Sequence, residues 1–154
     1  MRRAEKEILD QGIIEQILTE SQLCRIAMID GDEPYIVPLN YGYAEGVLYM
    51  HSAPQGRKMD VLSENNRVCF EIEYAHQVVK KKEPCNWTTR YRSVIGYGNI
   101  EVVTDMEEKK KGLRIIMQKY GYKGKAEYNE GSINFVVLLQ LKIEKITGKQ
   151  SGEW

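Results

Sequence analysis

The chain has no apolar run approaching the roughly 18 residues that cross a membrane as a helix. Its opening residues, MRRAEKEILDQ, turn acidic where an export signal needs an apolar core. A cytoplasmic protein without a membrane partner is expected. Charge of one sign is also lacking: 22 Lys and Arg balance 22 Asp and Glu, giving a formal net charge of +0. That balance argues against nucleic acid as a partner, which calls for a basic excess, but it leaves room for a small basic pocket. The 3 cysteines, Cys24, Cys69 and Cys85, are odd in number and scattered, with no Cys-x-x-Cys or Cys/His pair at metal-ligand spacing. Reduced thiols and no metal site are expected. No Gly-x-Ser-x-Gly, His-Glu-x-x-His or Gly-x-Gly-x-x-Gly pattern occurs, so hydrolase, zinc-protease and Rossmann readings have no support.

What remains is an ordinary globular composition, 42% hydrophobic and 29% charged over 154 residues. One domain covering residues 1–154 is expected, able to bury about 70% of its unfolded surface without disulfides or metal. The first 20 residues read as a helix with Ile14, Ile17 and Leu18 on one stripe. CRIAMI (24–29), then YIVPLNYGY (35–43) and VLYMHS (47–52) read as strands, the last two forming a hairpin across Ala44-Glu45-Gly46. GRKMDVLSENN (56–66) reads as a short helix facing Met59 and Leu62 inward. RVCFEIEY (67–74) alternates with Val68, Phe70, Ile72 and Tyr74 on one face, and residues 75–84 read as an exposed connection.

TTRYRSVIGYGNIEVV (88–103) is one long strand in which Gly96 and Gly98 predict a bulge or sharp bend. Thr104 and Glu107 form a capping box for a helix ending at Tyr120-Gly121, with Leu113, Ile116, Met117 and Tyr120 as its buried stripe. A polar loop over 122–132 precedes a final strand over 134–148. Six strands in hairpin order with peripheral helices make an α+β, mainly β chain. A small six-stranded antiparallel barrel is the expected architecture.

Three stretches carry candidate chemistry. At His51-Ser52-Ala53-Pro54-Gln55-Gly56-Arg57-Lys58 a strand ends, a glycine turn follows and a helix begins. Helix N-termini offer unpaired amides and a partial positive charge, to which Gly56 gives access, Ser52 a hydroxyl and Arg57 and Lys58 two cations. A solvated strand-to-helix turn is the plain alternative. Thr88-Thr89-Arg90-Tyr91-Arg92-Ser93-Val94 could add phosphate donors, although alternation puts Arg92 and Ser93 on opposite faces and leaves Val94 only its backbone. In Pro38-Leu39-Asn40-Tyr41 the proline marks an edge or bulge where the backbone is free to meet a heterocycle. Of the two histidines, His76 reads as structural and His51 sits beside the anionic turn.

The segments GDEPYIVPLNYGY (31–43), LYMHSAPQGRKMDVL (48–62), NNRVCFEIE (65–73), CNWTTRYRSVIGYG (85–98) and ITGK (146–149) occur in order. Together they resemble the 5-nitroimidazole-resistance branch of the pyridoxamine 5′-phosphate oxidase-like flavin-binding split barrels. The resemblance implies a homodimer of six-stranded split barrels holding two FMN molecules at the subunit interface. It implies that Arg57 and Lys58 hold the phosphate, with His51, Ser52, Ala53 and Gly56 lining the same turn. Pro38, Leu39, Asn40 and Tyr41 would follow the ring, and Arg92, Ser93 and Val94 would touch the phosphate or ring from the later strand. His51 becomes the candidate catalytic side chain. The pyridoxamine phosphate oxidases proper carry extra C-terminal substrate residues, so vitamin B6 oxidation is not expected here. The implied activity moves electrons from a reduced nicotinamide or similar donor to an electron-poor small molecule, a nitroaromatic among them. A flavin- or haem-binding module without turnover and a deazaflavin-dependent reductase are the alternatives on the same fold.

Overall fold

The computed structural model describes residues 3–124, 128 and 130–154. Chain order runs β1 (Glu7–Ile8), α1 (Gln11–Glu20), β2 (Leu23–Asp30), β3 (Glu33–Ala44), β4 (Val47–Ser52), α2 (Arg57–Glu64) and β5 (Arg67–Val79). It continues through β6 (Thr88–Val102), α3 (Met106–Lys119), α4 (Glu130–Asn134), β7 (Val137–Lys142) and β8 (Lys145–Ser151). All ladders are antiparallel, in the order β1-β8-β6-β5-β2-β3-β4-β7, and a further β6–β7 pairing closes the sheet. The closed ring is therefore β6-β5-β2-β3-β4-β7, the six-stranded barrel expected, with β8 and β1 extending from the outer edge of β6.

Inward positions fill the barrel: Cys24, Ile26 and Met28 of β2, Tyr41 of β3, Leu48 and Met50 of β4, Phe70 and Ile72 of β5, and Leu139 and Leu141 of β7. Ile14, Ile17 and Leu18 of α1 and Val61 and Leu62 of α2 join this core. Burial drives the Cys24 thiol well above its ordinary value, so it is an inert core side chain. A smaller cluster lies outside the barrel, where Ile116 of α3 meets Tyr49, Val103 and Leu138. The layers are tied by polar contacts as well. Tyr41 donates its hydroxyl to the Leu18 carbonyl at 2.7 Å. Lys119, at the end of α3, donates to the Leu18 and Thr19 carbonyls at 2.9 and 2.8 Å, capping the C-terminus of α1. Its ammonium stands 4.0 Å from the Tyr41 ring centroid, and burial pulls it down to about 8.

Several element boundaries differ from expectation, each for a local reason. The first helix starts at Gln11 because Asp10 accepts from the Gly12 amide at 2.7 Å, which fixes the N-cap. Before it, Ala4–Lys6 is a single 3-10 turn and Glu7–Ile8 pairs with Lys149 and Gly148; Met1 and Arg2 lie outside the described residues. The supposed connection at 75–79 continues β5, and the bulge falls there, between Tyr74 and Gln77, with Ala75 at φ 47. Gly96 and Gly98 are instead regular ladder positions opposite Phe70 and Val68, required for close approach. A Cβ at Gly98 would stand 2.2 Å from the Lys142 carbonyl, and one at Gly96 2.3 Å from the Phe70 ring.

Asp105, not Thr104, caps α3 by accepting from the Glu108 amide at 2.8 Å. Along α3 the buried residues are Gly112 and Ile116, while Met117 and Tyr120 are exposed. The last strand divides into β7 and β8 because the corner at Ile143 and Glu144 donates to Gly46 and Tyr97 carbonyls instead of continuing a ladder. Part of the expected 122–132 loop lies outside the described residues, and its end belongs to α4. No helix among the described residues is long and apolar enough to cross a membrane.

The Gly98 contact is with backbone, which cannot swing aside. Gly98→Ala should therefore destabilise the fold at the upper end of the roughly 1–3 kcal/mol typical of overpacking. Urea unfolding with an unchanged m value checks this; a loss below about 0.5 kcal/mol would contradict the close approach.

Candidate functional site

β3 changes partner along its length. Residues 33–40 pair with β2, and residues 41–44 pair with β4. The β3–β4 ladder begins at Tyr41–Met50, so beyond it the two strands part and the second edge of 33–40 joins no ladder. This is the split in the barrel. Pro38 lies on that half-open stretch, where its missing N–H costs least. Pro38 and Asn40 are exposed and outward, and exposed His51, one position beyond the last ladder pair, follows Tyr49 on the same outer face.

Leu39 packs against the core, and Tyr41 is fully buried with its hydroxyl committed to Leu18, so neither side chain can line a ligand on the outer face. Burial also drives the Tyr41 phenol far above its ordinary value. Ser52 points inward, is buried, and donates its hydroxyl to the Ala53 carbonyl at 2.9 Å, which occupies the donor expected for an anion.

The turn beyond Ser52 delivers α2. Gly56 is its N-cap at φ 118, a conformation that excludes most side chains, and no side chain caps the helix. A Cβ at Gly56 would meet nothing within 4 Å, so nothing crowds the approach to the uncapped start of the helix. The two cations here differ. Arg57 donates its Nε to Asp30 at 2.6 Å, reaches Glu33 at 3.7 Å and stands 4.5 Å over the Tyr35 ring. Its guanidinium is thus placed and partly neutralised by the β2–β3 turn. Lys58 is half-buried and, among the described residues, has no carboxylate within 4.0 Å. Burial alone lowers its pKa. A partly desolvated ammonium with no carboxylate beside it among the described residues, next to an uncapped helix start, is an arrangement that favours an anion.

The later-strand candidates do not join this constellation within one chain. Arg92 is opposite Tyr74 on β5, whereas Ala27 is opposite Cys69 and Asp30 lies further on. About eight residue rows separate Arg92 from Asp30, roughly 26 Å along the strands at ~3.3 Å per residue. Arg92 is engaged elsewhere, donating to Gln150 at 3.1 Å and standing 4.2 Å from the Trp154 ring. Val94 is fully buried, and its backbone lies between the Ile72 and Gly148 ladders, so it offers no open backbone edge. Ser93 alone of the three points outward with exposed Ile95 and Tyr97.

Two features escaped sequence reasoning. Asp30 and Glu33 were given no role at the site, although this acid pair and the Tyr35 ring are what hold Arg57. The Trp154 contact with Arg92 carried no sequence signal at all, because it depends on where β8 ends.

A family model described as pyridoxamine 5′-phosphate oxidase matches residues 10–150. A solved structure from Bacteroides thetaiotaomicron VPI-5482, provisionally named as a 5-nitroimidazole antibiotic resistance protein, superposes with a TM-score of 0.84 at 34% identity. That match covers 94% of this chain and 86% of that one. The FAD and haem binding protein of Mycobacterium smegmatis shares the fold at TM-score 0.86 and 19% identity, over 97% of this chain and 75% of that one. An uncharacterized curated relative from Rhizobium meliloti (strain 1021) is 36% identical over 65 residues, 42% of this chain and 42% of the relative's length. The split-barrel expectation is borne out by these likenesses and by the closed six-strand ring.

Lys58 has a measurable consequence. Its folded pKa lies below the ordinary 10.5, so the unfolded chain binds more protons between the two values. The cost of burying the charge is full at neutral pH and fades as pH rises through the folded value. Lys58→Met should therefore stabilise the ligand-free protein by a few tenths of a kcal/mol at pH 7, after solvent screening. The gain should shrink as pH approaches 10.5. Urea unfolding at the two pH values tests it, and a loss of stability at pH 7 would mean that Lys58 has a partner.

Proposed function

The chain belongs to the pyridoxamine 5′-phosphate oxidase family, and from this premise we propose that it is an FMN-binding oxidoreductase. Electrons would pass from a reduced nicotinamide or similar donor to an electron-poor small molecule, for which the 5-nitroimidazole name of its Bacteroides relative suggests a nitroaromatic. The observation that carries this reading is Lys58, half-buried with no carboxylate within 4.0 Å among the described residues, at the uncapped N-terminus of α2. The residues present fit the group. A phosphate dianion there would be met by the α2 amides, by Lys58 and by Arg57, which would share its guanidinium with Asp30. Gly56 leaves the approach clear, and Ala53 borders the same turn.

Bound FMN supplies the redox chemistry, accepting an electron pair and passing it on. The protein's own contribution is to hold and orient. In this reading a planar ring would lie along the edge of β3 at Pro38–Asn40 that joins no ladder, and His51 would meet the ring or the substrate. The His51 side chain is exposed on that face.

One chain supplies only half of the site the family resemblance describes, since Arg92 and Ser93 lie at the other end of the barrel. A second copy would bring its own Ser93 region to the split. The outward face of β2, β3, β5 and β6, with Ile29, Ile36, Ile95 and Tyr97 exposed, supports that pairing. In this homodimer the two cofactors would lie at the interface. A haem reading competes through exposed His51, an available axial ligand, and through the Mycobacterium relative named for both FAD and haem.

An absorption spectrum of the purified protein, repeated after anaerobic addition of reduced nicotinamide, separates these readings. Flavin bands that bleach are expected, whereas a Soret band would favour haem. Arg57→Glu with Lys58→Glu should yield a colourless protein of unchanged sedimentation. Retained flavin in that variant would overturn the phosphate assignment.

A further inference from the structure

We infer that the acidic turn between β2 and β3 makes the cofactor site selective for a flavin that ends at its first phosphate. FMN is accepted there, and FAD, which continues into a second phosphate and an adenosine, is rejected. This inference rests on the flavin reading above and names the residues that choose between the two. The fold alone does not choose, since the Mycobacterium smegmatis protein that shares it is named for FAD and haem.

The turn reads Asp30-Gly31-Asp32-Glu33 and sets three carboxylates beside one guanidinium, that of Arg57. Arg57 donates its Nε to Asp30 at 2.6 Å and stands 4.5 Å over the Tyr35 ring. Glu33, at 3.7 Å, lies beyond hydrogen-bond reach of that guanidinium. Asp32 is exposed and, among the described residues, has no cation within 4.0 Å. An excess of negative charge therefore stands directly beside the phosphate site. It weakens the hold on any anion, and it weakens most the anion that reaches furthest toward the turn.

The order of residues along β3 says which anion that is. The strand leaves the turn at Glu33, passes Tyr35 and reaches Pro38–Asn40, the stretch assigned above to the ring. Arg57, over Tyr35, thus lies between the ring stretch and the acids. Pro38 and Tyr35 are roughly 10 Å apart at ~3.3 Å per residue, a span that a ribityl chain bridges with its phosphate at Arg57. Glu33 lies ~7 Å further along the same strand. A second phosphate continuing on that line meets Asp32 and Glu33. At ~7 Å in water each pair of like charges costs about a factor of 3 in affinity, so two of them favour FMN about 10-fold. A repulsive element of this kind discriminates without adding a contact to the preferred ligand.

The test equilibrates the protein with FMN and FAD in equal excess, then releases the bound flavins and separates them by chromatography. At low ionic strength bound FMN should exceed bound FAD about 10-fold. In 1 M salt, where charges are screened beyond about 3 Å, that ratio should fall at least ~3-fold. Asp32→Asn with Glu33→Gln should lower it as much without added salt, whereas Asp32→Glu with Glu33→Asp should keep it. Equal uptake of the two flavins would overturn the proposal and leave the flavin reading standing. So would a preference for FMN that survives 1 M salt or, in a folded variant, the neutralised turn. Uptake of neither flavin would overturn both readings. The salt series needs no variant, so it decides even if a substituted chain fails to fold.

Discussion

Closure of the barrel depends on one strand edge serving two neighbours. The edge of β6 facing away from β5 pairs with β8 over Tyr91–Tyr97 and with β7 over Ile100–Val102. The change of partner falls at Gly98, where the Lys142 carbonyl occupies the space a Cβ would need. Glu144 turns this corner with its amide on the Tyr97 carbonyl and its carboxylate on Arg67 and Asn99. With the corner in place, β7 lies against β4 and sends Leu139 and Leu141 into the core. Without it the sheet would remain open, and β4 would have no second neighbour to hold it away from β3.

That separation makes the site. β4 is paired with β7 over its whole length, and with β3 only as far as Met50. The chain beyond Ser52 must cross the resulting gap before α2 can bury Val61 and Leu62 in the core. The crossing leaves the first turn of α2 uncapped, with Lys58 neither fully solvated nor paired. Core burial thus offsets an electrostatic cost at the helix start, a common arrangement where a ligand completes the pairing.

Positive charge is organised at both ends of this neutral chain, by different means. At the α2 end the β2–β3 turn supplies Asp30 and Glu33, so Arg57 is fixed and only Lys58 is left over. At the other end, among the described residues, no acid lies within 4.0 Å of Arg3, Lys6 or Lys149. Arg92 lies near the second end but is occupied by Gln150 and the Trp154 ring. Net charge hides all of this, because the acids that balance the sum are placed elsewhere.

Local periodicity and turn chemistry in the sequence were sufficient for the elements that build the barrel. Alternation in RVCFEIEY, the glycine turn before Val47 and the strand-turn-helix signal at His51–Lys58 depend on near neighbours, and each was legible. The family resemblance rested on the same segments. What required the tertiary structure were distances between residues far apart in sequence. Only the register shows that Arg92 and Arg57 belong to opposite ends of one chain, that Tyr41 faces Leu18, and that Arg3, Lys6 and Lys149 share a cleft. Side-chain type and period determine which face of a strand a residue occupies; which other strands that face meets is set by barrel closure, and closure turns on Gly98.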